Sequence, residues 1–184
     1  MFNQYFPHVN HGVEKIGNFI NNFDRLRKPL SKQQRVAIPG KYRYIGAASV
    51  TDHVNQYNFD GIYLLIGEDG TVEDNQGYPI LQYIFGKFWP NNHAHVLQGC
   101  GVSTEWLYLF FRQRKVSSIV TGAVQKKISQ KNLNSLTINP PSIGKLSEFD
   151  RLIQPIFSKI RINECENIRL KKLKSLLLRK YLSY

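Results

Sequence analysis

Four acids lie between positions 68 and 74: Glu68, Asp69, Glu73 and Asp74. A cluster of this kind can hold Mg²⁺ or Ca²⁺ for nuclease chemistry. Its spacing misses the EF-hand loop, and no Glu-x-Lys follows at nuclease distance, so a solvated turn is the simpler expectation. His93-Ala94-His95 places two imidazoles on one face of a strand, the start of a metal pair. Cys100 is near, but no third ligand stands at a telling spacing. No nucleophile elbow and no Cys–His pair in a recognisable setting occur. No catalytic residue, metal or cofactor is therefore expected.

Other residues suit binding better than catalysis. Asn91, Asn92 and His93 precede a strand, and Asn can pair with adenine N6 and N7 at once. A turn role for the two asparagines is the competing reading. Thr121-Gly122-Ala123-Val124-Gln125-Lys126-Lys127-Ile128 is a small-residue loop leading into Gln and two lysines. Gly allows close backbone approach to a phosphate, Lys neutralises phosphates, and Gln can read a base edge. Asn139-Pro140-Pro141-Ser142 is similar to the Asn-Pro-Pro-aromatic signature of amino-methyltransferases, with Ser142 in place of the aromatic that stacks on an extruded base. No glycine-rich cofactor turn follows an early strand, so the motif reads as a polyproline exit from a strand.

The elements that position these residues are mixed. Segments 41–50, 59–67, 84–89 and 94–98 have strand composition, and Glu68-Asp69-Gly70-Thr71 carries the Asp-Gly turn signal. Segment 103–115 reads as a helix capped by Ser103 or Thr104, with Trp106, Leu107, Phe110 and Phe111 on one face. A short helix near 129–135 and a strand near 136–139 follow. Paired prolines and Gly144 then punctuate the chain, dividing it into residues 1–145 and 146–184.

The second part has no Gly and a helical pattern. Phe149, Ile153, Ile156, Ile160, Asn163, Asn167 and Leu170 follow spacings of 4, 3, 4, 3, 4, 3, continuing less regularly through Leu173, Leu177 and Tyr181. This is an a/d seam for helix-to-helix pairing, with two Asn that fix register. An amphipathic helix packed on its own domain is the alternative. Pro155 sits inside the pattern, so the helix kinks there or starts near it. The fold class expected is α+β: a mixed α/β domain followed by a long C-terminal helix that pairs as an antiparallel coiled coil.

Of 184 residues, 42% are apolar and 12% aromatic, enough for a packed core. The net charge is +12 and the pI about 9.8, favouring a polyanionic partner. Residues 1–145 hold 16 basic and 9 acidic side chains, net +7; residues 146–184 hold 9 and 4, net +5. The longest apolar runs, Ile62-Tyr63-Leu64-Leu65-Ile66 and Leu107-Tyr108-Leu109-Phe110-Phe111, fall far short of the roughly 20 residues of a membrane span. No signal peptide is visible, and two cysteines do not make a disulfide scaffold, so a cytoplasmic location is expected.

Several longer motifs together resemble a known family. Tyr44-Ile45-Gly46-Ala47-Ala48 and Phe59-Asp60-Gly61-Ile62-Tyr63-Leu64-Leu65-Ile66-Gly67-Glu68-Asp69-Gly70 are similar to target-recognition domains of type I restriction-modification specificity subunits. So are Gly86-Lys87-Phe88-Trp89-Pro90-Asn91-Asn92-His93-Ala94-His95-Val96-Leu97 and the 121–128 loop. The tail, with Asn163-Glu164, Leu173 and Leu176-Leu177, looks like the helical spacer that ends such a subunit. It departs from the family at Leu178-Arg179-Lys180-Tyr181, where a Leu-Pro end is more usual.

The resemblance implies a DNA-reading subunit without catalysis of its own, which recruits methyltransferase and restriction subunits. Such subunits hold two recognition domains separated by two antiparallel helices. One region and one helix are present here, which is half of that plan. A seam with no pairing helix in its own chain needs a second copy, so a two-fold homodimer of 146–184 helices is expected. About 30 helical residues at 1.5 Å each would hold the domains roughly 45 Å apart. Two identical, inverted half-sites in double-stranded DNA would then be read, by a dimer of charge about +24. Arg43, Lys87, Lys126 and Lys127 are expected on phosphates. Tyr44, Asn91, Asn92, His93 and Gln125 are expected on base edges. A stand-alone Mg-dependent nuclease built on the 68–74 cluster with His93 and His95, and an RNA-binding or structural module, are the alternatives.

Overall fold

The structure, a computed structural model, describes residues 1–182. The chain divides into two compact units, Met1–Leu146 and Ser147–Tyr184. In the first unit, α1 (Phe2–Tyr5) precedes two short strands, β1 (Glu14–Lys15) and β2 (Ile20–Asn22), and a 3-10 turn at Asp24–Leu26. Then come α2 (Lys32–Ala37), β3 (Pro39–Ile45), β4 (Val50–Val54), β5 (Phe59–Gly67), β6 (Leu81–Pro90) and β7 (Ala94–Gly99). The unit closes with α3 (Thr104–Phe111), α4 (Gln130–Asn134) and β8 (Thr137–Ile138).

Six strands form one mixed sheet in the order β2-β7-β5-β6-β3-β4, and β1 pairs separately with β8. β3 runs parallel to β6, while β5 is antiparallel to both β6 and β7. β5 is central because its run of β-branched and aliphatic residues is buried: Leu64, Leu65 and Ile66 are fully enclosed. Gly61 and Gly86 face each other across β5 and β6, both at positive φ, a backbone state other residues adopt at a cost. One side of the sheet packs Ile45, Phe59, Leu65, Ile84, Phe88 and Val96 together. There Phe59 stacks on Phe88 at 5.4 Å. A second cluster joins Tyr44, Val54 and Trp89.

Segment 41–50, expected as one strand, is two. Gly46, Ala47, Ala48 and Ser49 are small enough to reverse the chain, and the Gly46 N–H donates to the Ser49 carbonyl at 2.8 Å. Ser103 caps α3 by accepting from the Trp106 N–H at 3.1 Å. Phe2 and Phe6 of the N-terminal segment close over Trp106, with ring centroids 5.7 and 5.9 Å away. α3 ends at Phe111 rather than near Lys115, because the Val116 N–H turns away to the Gly77 carbonyl at 2.8 Å. Ser129 caps α4 in the same way as Ser103 caps α3.

The last helix, α5 (Ile143–Leu182), has 40 residues. It begins twelve residues before Pro155, which lies inside it, so the expectation that the helix starts near Pro155 is not met. Pro removes one N–H from the ladder, and the turns on either side carry the helix past it. Ser183 and Tyr184, the end of the expected helix, lie outside the described residues. The seam also divides. Phe149 and Ile153 are buried, as is Phe157, so these two seam positions are not open to a second helix. Ile156, Ile160, Asn163, Asn167, Leu170, Leu173 and Leu177 are exposed. Among the described residues no helix is long and apolar enough to cross a membrane.

Candidate nucleic-acid interface

Three connections meet at one end of the sheet: residues 68–70 after β5, residues 91–93 before β7, and the loop 121–127. The loop closes on itself through reciprocal hydrogen bonds between Thr121 and Lys127, of 2.8 and 2.7 Å. Gly122 turns it at a φ of 86°, and a side chain there would meet the Gln125 carbonyl. The Gly70 N–H donates to the Lys126 carbonyl at 2.9 Å, and the Ile128 N–H to the Glu68 carbonyl at 2.9 Å. The Glu68 N–H donates to the His93 carbonyl at 2.8 Å, which ties in the third connection.

Beneath them lies an enclosed polar network. His95 is fully buried, with Nδ1 2.6 Å from Asp24 Oδ2 and Nε2 2.9 Å from the Ile128 carbonyl oxygen. A carboxylate oxygen and a carbonyl oxygen thus clamp the ring from both of its nitrogens. Burial pushes the Asp24 carboxyl up. The hydrogen bond and charge of His95, the Val96 N–H and the Asn22 amide outweigh it and hold the carboxyl below its ordinary value. Arg27 donates to Glu68 Oε2 at 2.7 Å, to the Ala94 carbonyl at 2.6 Å and to the Asn92 carbonyl at 3.3 Å. Asp24, Glu68 and His95 bring three ligand atoms within 4.8 Å of one another, a spacing a cation could use. The Arg27 guanidinium supplies the positive charge at that place, 3.7 Å from Asp24 as well as against Glu68.

The acidic residues are all engaged. Glu68 is held by Arg27, and Lys127 Nζ is 3.8 Å from its other oxygen. Asp69 accepts from Gln125 Nε2 at 2.8 Å and lies 3.5 Å from His93. Glu73 accepts from the Ser117 hydroxyl at 2.6 Å and from Lys126 Nζ at 2.9 Å. The Ser117 hydrogen bond first, and then Lys126, hold the Glu73 carboxyl below its ordinary value. Asp74 accepts the N–H groups of Gln76 and Tyr78, each at 2.9 Å. A two-carboxylate Mg²⁺ site would have to break these pairs. His93 and His95 do not form a metal pair either, since His95 is turned into the network and His93 toward Asp69.

The residues expected on base edges separate. Tyr44 is 2% exposed, accepts the Leu30 N–H at 2.9 Å and carries Arg35 over its ring at 4.8 Å. It is a core residue and not the expected base contact, because sheet pairing turns that side chain inward. The Asn91 side chain accepts the His93 N–H at 2.8 Å, a turn role. Asn92, His93 and Gln125 stand exposed, and His93 and Gln125 meet at Asp69. Of the residues expected on phosphates, Arg43 is committed to the Phe85 carbonyl at 2.6 Å. Lys126 and Lys127 are on the loop, and Lys87 is on the sheet, 4.5 Å above the Tyr57 ring. The roles of Asp24 and Arg27 were not foreseen. Their only local signal is the i, i+3 acid–base pair in a polar turn, which is common and unspecific.

The chain matches the family model described as "Type I restriction modification DNA specificity domain" over residues 12–175. It is 29% identical over 145 residues to S.HindORF215P of Haemophilus influenzae, a protein named as a type I restriction enzyme specificity subunit. That alignment covers 78% of this chain and 36% of the relative. Among solved structures, the type I restriction-modification S subunit of M. genitalium shares the fold with a TM-score of 0.56 and 16% identity. The match covers 82% of this chain and 42% of that one. A chain from a structure concerned with complex assembly and conformational transition of the type I R-M system matches with a TM-score of 0.51 and 11% identity. It is covered over 91% of this chain and 44% of that one. The chain thus spans less than half the length of these relatives. With 164 of its residues inside the family model, the chain belongs to the type I restriction modification DNA specificity domain family.

Proposed function

We propose that this chain reads DNA sequence for a type I restriction-modification system, and that Met1–Leu146 is its target-recognition domain. The observation that carries this is the meeting of 91–93 and 121–127 on one rigid base. Exposed Asn92, His93 and Gln125 there offer donors and acceptors to base edges, while the His95–Asp24–Arg27 network beneath fixes where they stand. The chain performs no catalysis in this reading. Methylation and cleavage belong to methyltransferase and restriction subunits that it brings to double-stranded DNA, in the cytoplasm.

The reading includes a homodimer made by α5. Leu170, Leu173, Leu177 and Tyr181 form an exposed stripe on a helix of 40 residues, about 60 Å long. Charge favours the antiparallel arrangement. Residues 166–182 carry six basic side chains and one acidic, net +5, whereas residues 147–165 carry three of each. A parallel pair would set two strongly basic ends side by side, and an antiparallel pair sets each against a neutral half. Selection of duplexes from a random pool, by the chain together with the methyltransferase subunit of its own system, tests the reading. A single enriched motif is expected, with Asn92→Ala and Gln125→Ala each relaxing one position in it. The same motif from both variants would overturn the assignment of the reading face.

A further inference from the structure

The loop lysines and the sheet lysine have different electrostatic surroundings. Lys126 is paired with Glu73 at 2.9 Å, and Lys127 lies 3.8 Å from Glu68. A phosphate reaching either must first compete with a carboxylate already in place. On β6, Lys87 Nζ instead lies 4.5 Å from the centre of the Tyr57 ring. Tyr57 packs on Tyr42 at a centroid distance of 5.0 Å, and Lys41 Nζ lies 5.3 Å over Tyr42. Two phenols packed on each other are thus flanked by a cation at either end, where β3 runs beside β6. Lys41, Tyr57 and Lys87 are exposed, and Tyr42 is half-buried. Asp60 stands in register with Lys87 on β5 and acts on its charge, but the two form no salt bridge among the described residues.

We infer that Lys41, Tyr42, Tyr57 and Lys87 form the surface that holds the phosphate backbone of double-stranded DNA, separately from the loop group that reads bases. The inference rests on the DNA-reading function proposed above. An aromatic partner fixes the direction of an ammonium group without cancelling its charge, so both lysines keep their full attraction for phosphate. The Tyr57 phenol, and to a smaller degree Tyr42 and Asp60, hold the Lys87 ammonium above the ordinary lysine value. The two phenol hydroxyls add donors of the kind that fix a protein on a backbone without reading sequence. Lysines 126 and 127 then act within the protein, holding the 121–127 loop to its own acids.

The test is the salt dependence of binding to a random-sequence 40-bp duplex. Each lost phosphate contact lowers the slope of log K against log salt by about 0.9, and affinity by about eightfold at 0.1 M salt. Lys41→Ala/Lys87→Ala is expected to lower the slope by about 1.8. Lys126→Ala/Lys127→Ala should lower it by less than half that amount, and Lys131→Ala, on α4, should leave it unchanged. A slope unaltered in the Lys41/Lys87 variant, or a larger loss in the Lys126/Lys127 variant, overturns the inference and leaves the DNA-reading function standing. If the Lys41/Lys87 variant instead binds duplex normally but no longer retains the methyltransferase subunit, the surface serves a protein partner and the inference falls. Absence of duplex binding by the unaltered chain, alone and with the methyltransferase subunit, removes the DNA-reading function and the inference with it.

Discussion

Replacing Arg27 by Ala removes the guanidinium from the network under the 91–93 and 121–127 connections. Its side chain is 12% exposed and makes four hydrogen bonds: to Glu68, to the carbonyls of Ala94 and Asn92, and from Nε to the Asp24 carbonyl at 3.0 Å. The two carboxylates it serves are 11% and 16% exposed, so water compensates little. Breaking one side of a buried ion pair costs about 3–5 kcal/mol. The residual exposure places this case at the lower end, about 3 kcal/mol. With a urea slope of about 2–3 kcal/mol/M, the unfolding midpoint should fall by about 1–1.5 M. Arg27→Lys keeps the charge but not the fork and should lose about half as much. In Arg27→Ala/Glu68→Ala the orphaned carboxylate is gone, so the double loss should be smaller than the two single losses added, by about 1–3 kcal/mol. Urea titration of the four proteins at pH 7 measures this. A loss under about 1 kcal/mol for Arg27→Ala, or strict additivity, would refute the claim that Arg27 neutralises this network.

Asp24 has a folded value below its ordinary one, so its stabilisation is present above the ordinary carboxylate range and is lost as pH falls through the folded value. His95→Phe should therefore cost most at pH 7, and urea midpoints should show the gap from the unaltered chain narrowing in acid; a gap constant with pH contradicts this. Tyr44→Phe should lose about 1 kcal/mol through the Leu30 hydrogen bonds and leave the enriched DNA motif unchanged, whereas a changed motif would return Tyr44 to the reading face. Leu173→Glu/Leu177→Glu should convert a dimer to a monomer in sedimentation at tens of micromolar without altering the melting of Met1–Leu146. Should the unaltered chain itself sediment as a monomer, the α5 pairing is wrong.

What could be read from sequence followed local physics. β5 was legible because a continuous aliphatic run ends at an Asp-Gly turn, and α3 and α4 because Ser103 and Ser129 are capping residues. The hairpin of β3 and β4 was missed because Gly46-Ala47-Ala48-Ser49 has no strong turn signature. The site was legible where chemistry and exposure coincide, as at Asn92 and Gln125. It was illegible where long-range pairing decides. Nothing local to Tyr44 shows that its strand pairs with β6 and turns its ring under Arg35. Nothing local to His95 shows that Asp24, 71 positions away, meets it. The lysines illustrate the same limit: residue type marks Lys126 and Lys87 alike, and only the fold sets a carboxylate beside one and a phenol beside the other.

If this chain specifies which DNA sequence its system modifies, the specificity should be readable in the DNA of a host lacking the system, once the chain and the methyltransferase subunit are expressed there together and methylated adenines are mapped across the genome. One methylated motif is expected, present only when the chain is present, made of two identical inverted half-sites around an unread gap. Methylation that is independent of the chain, or a motif whose halves differ, would contradict it.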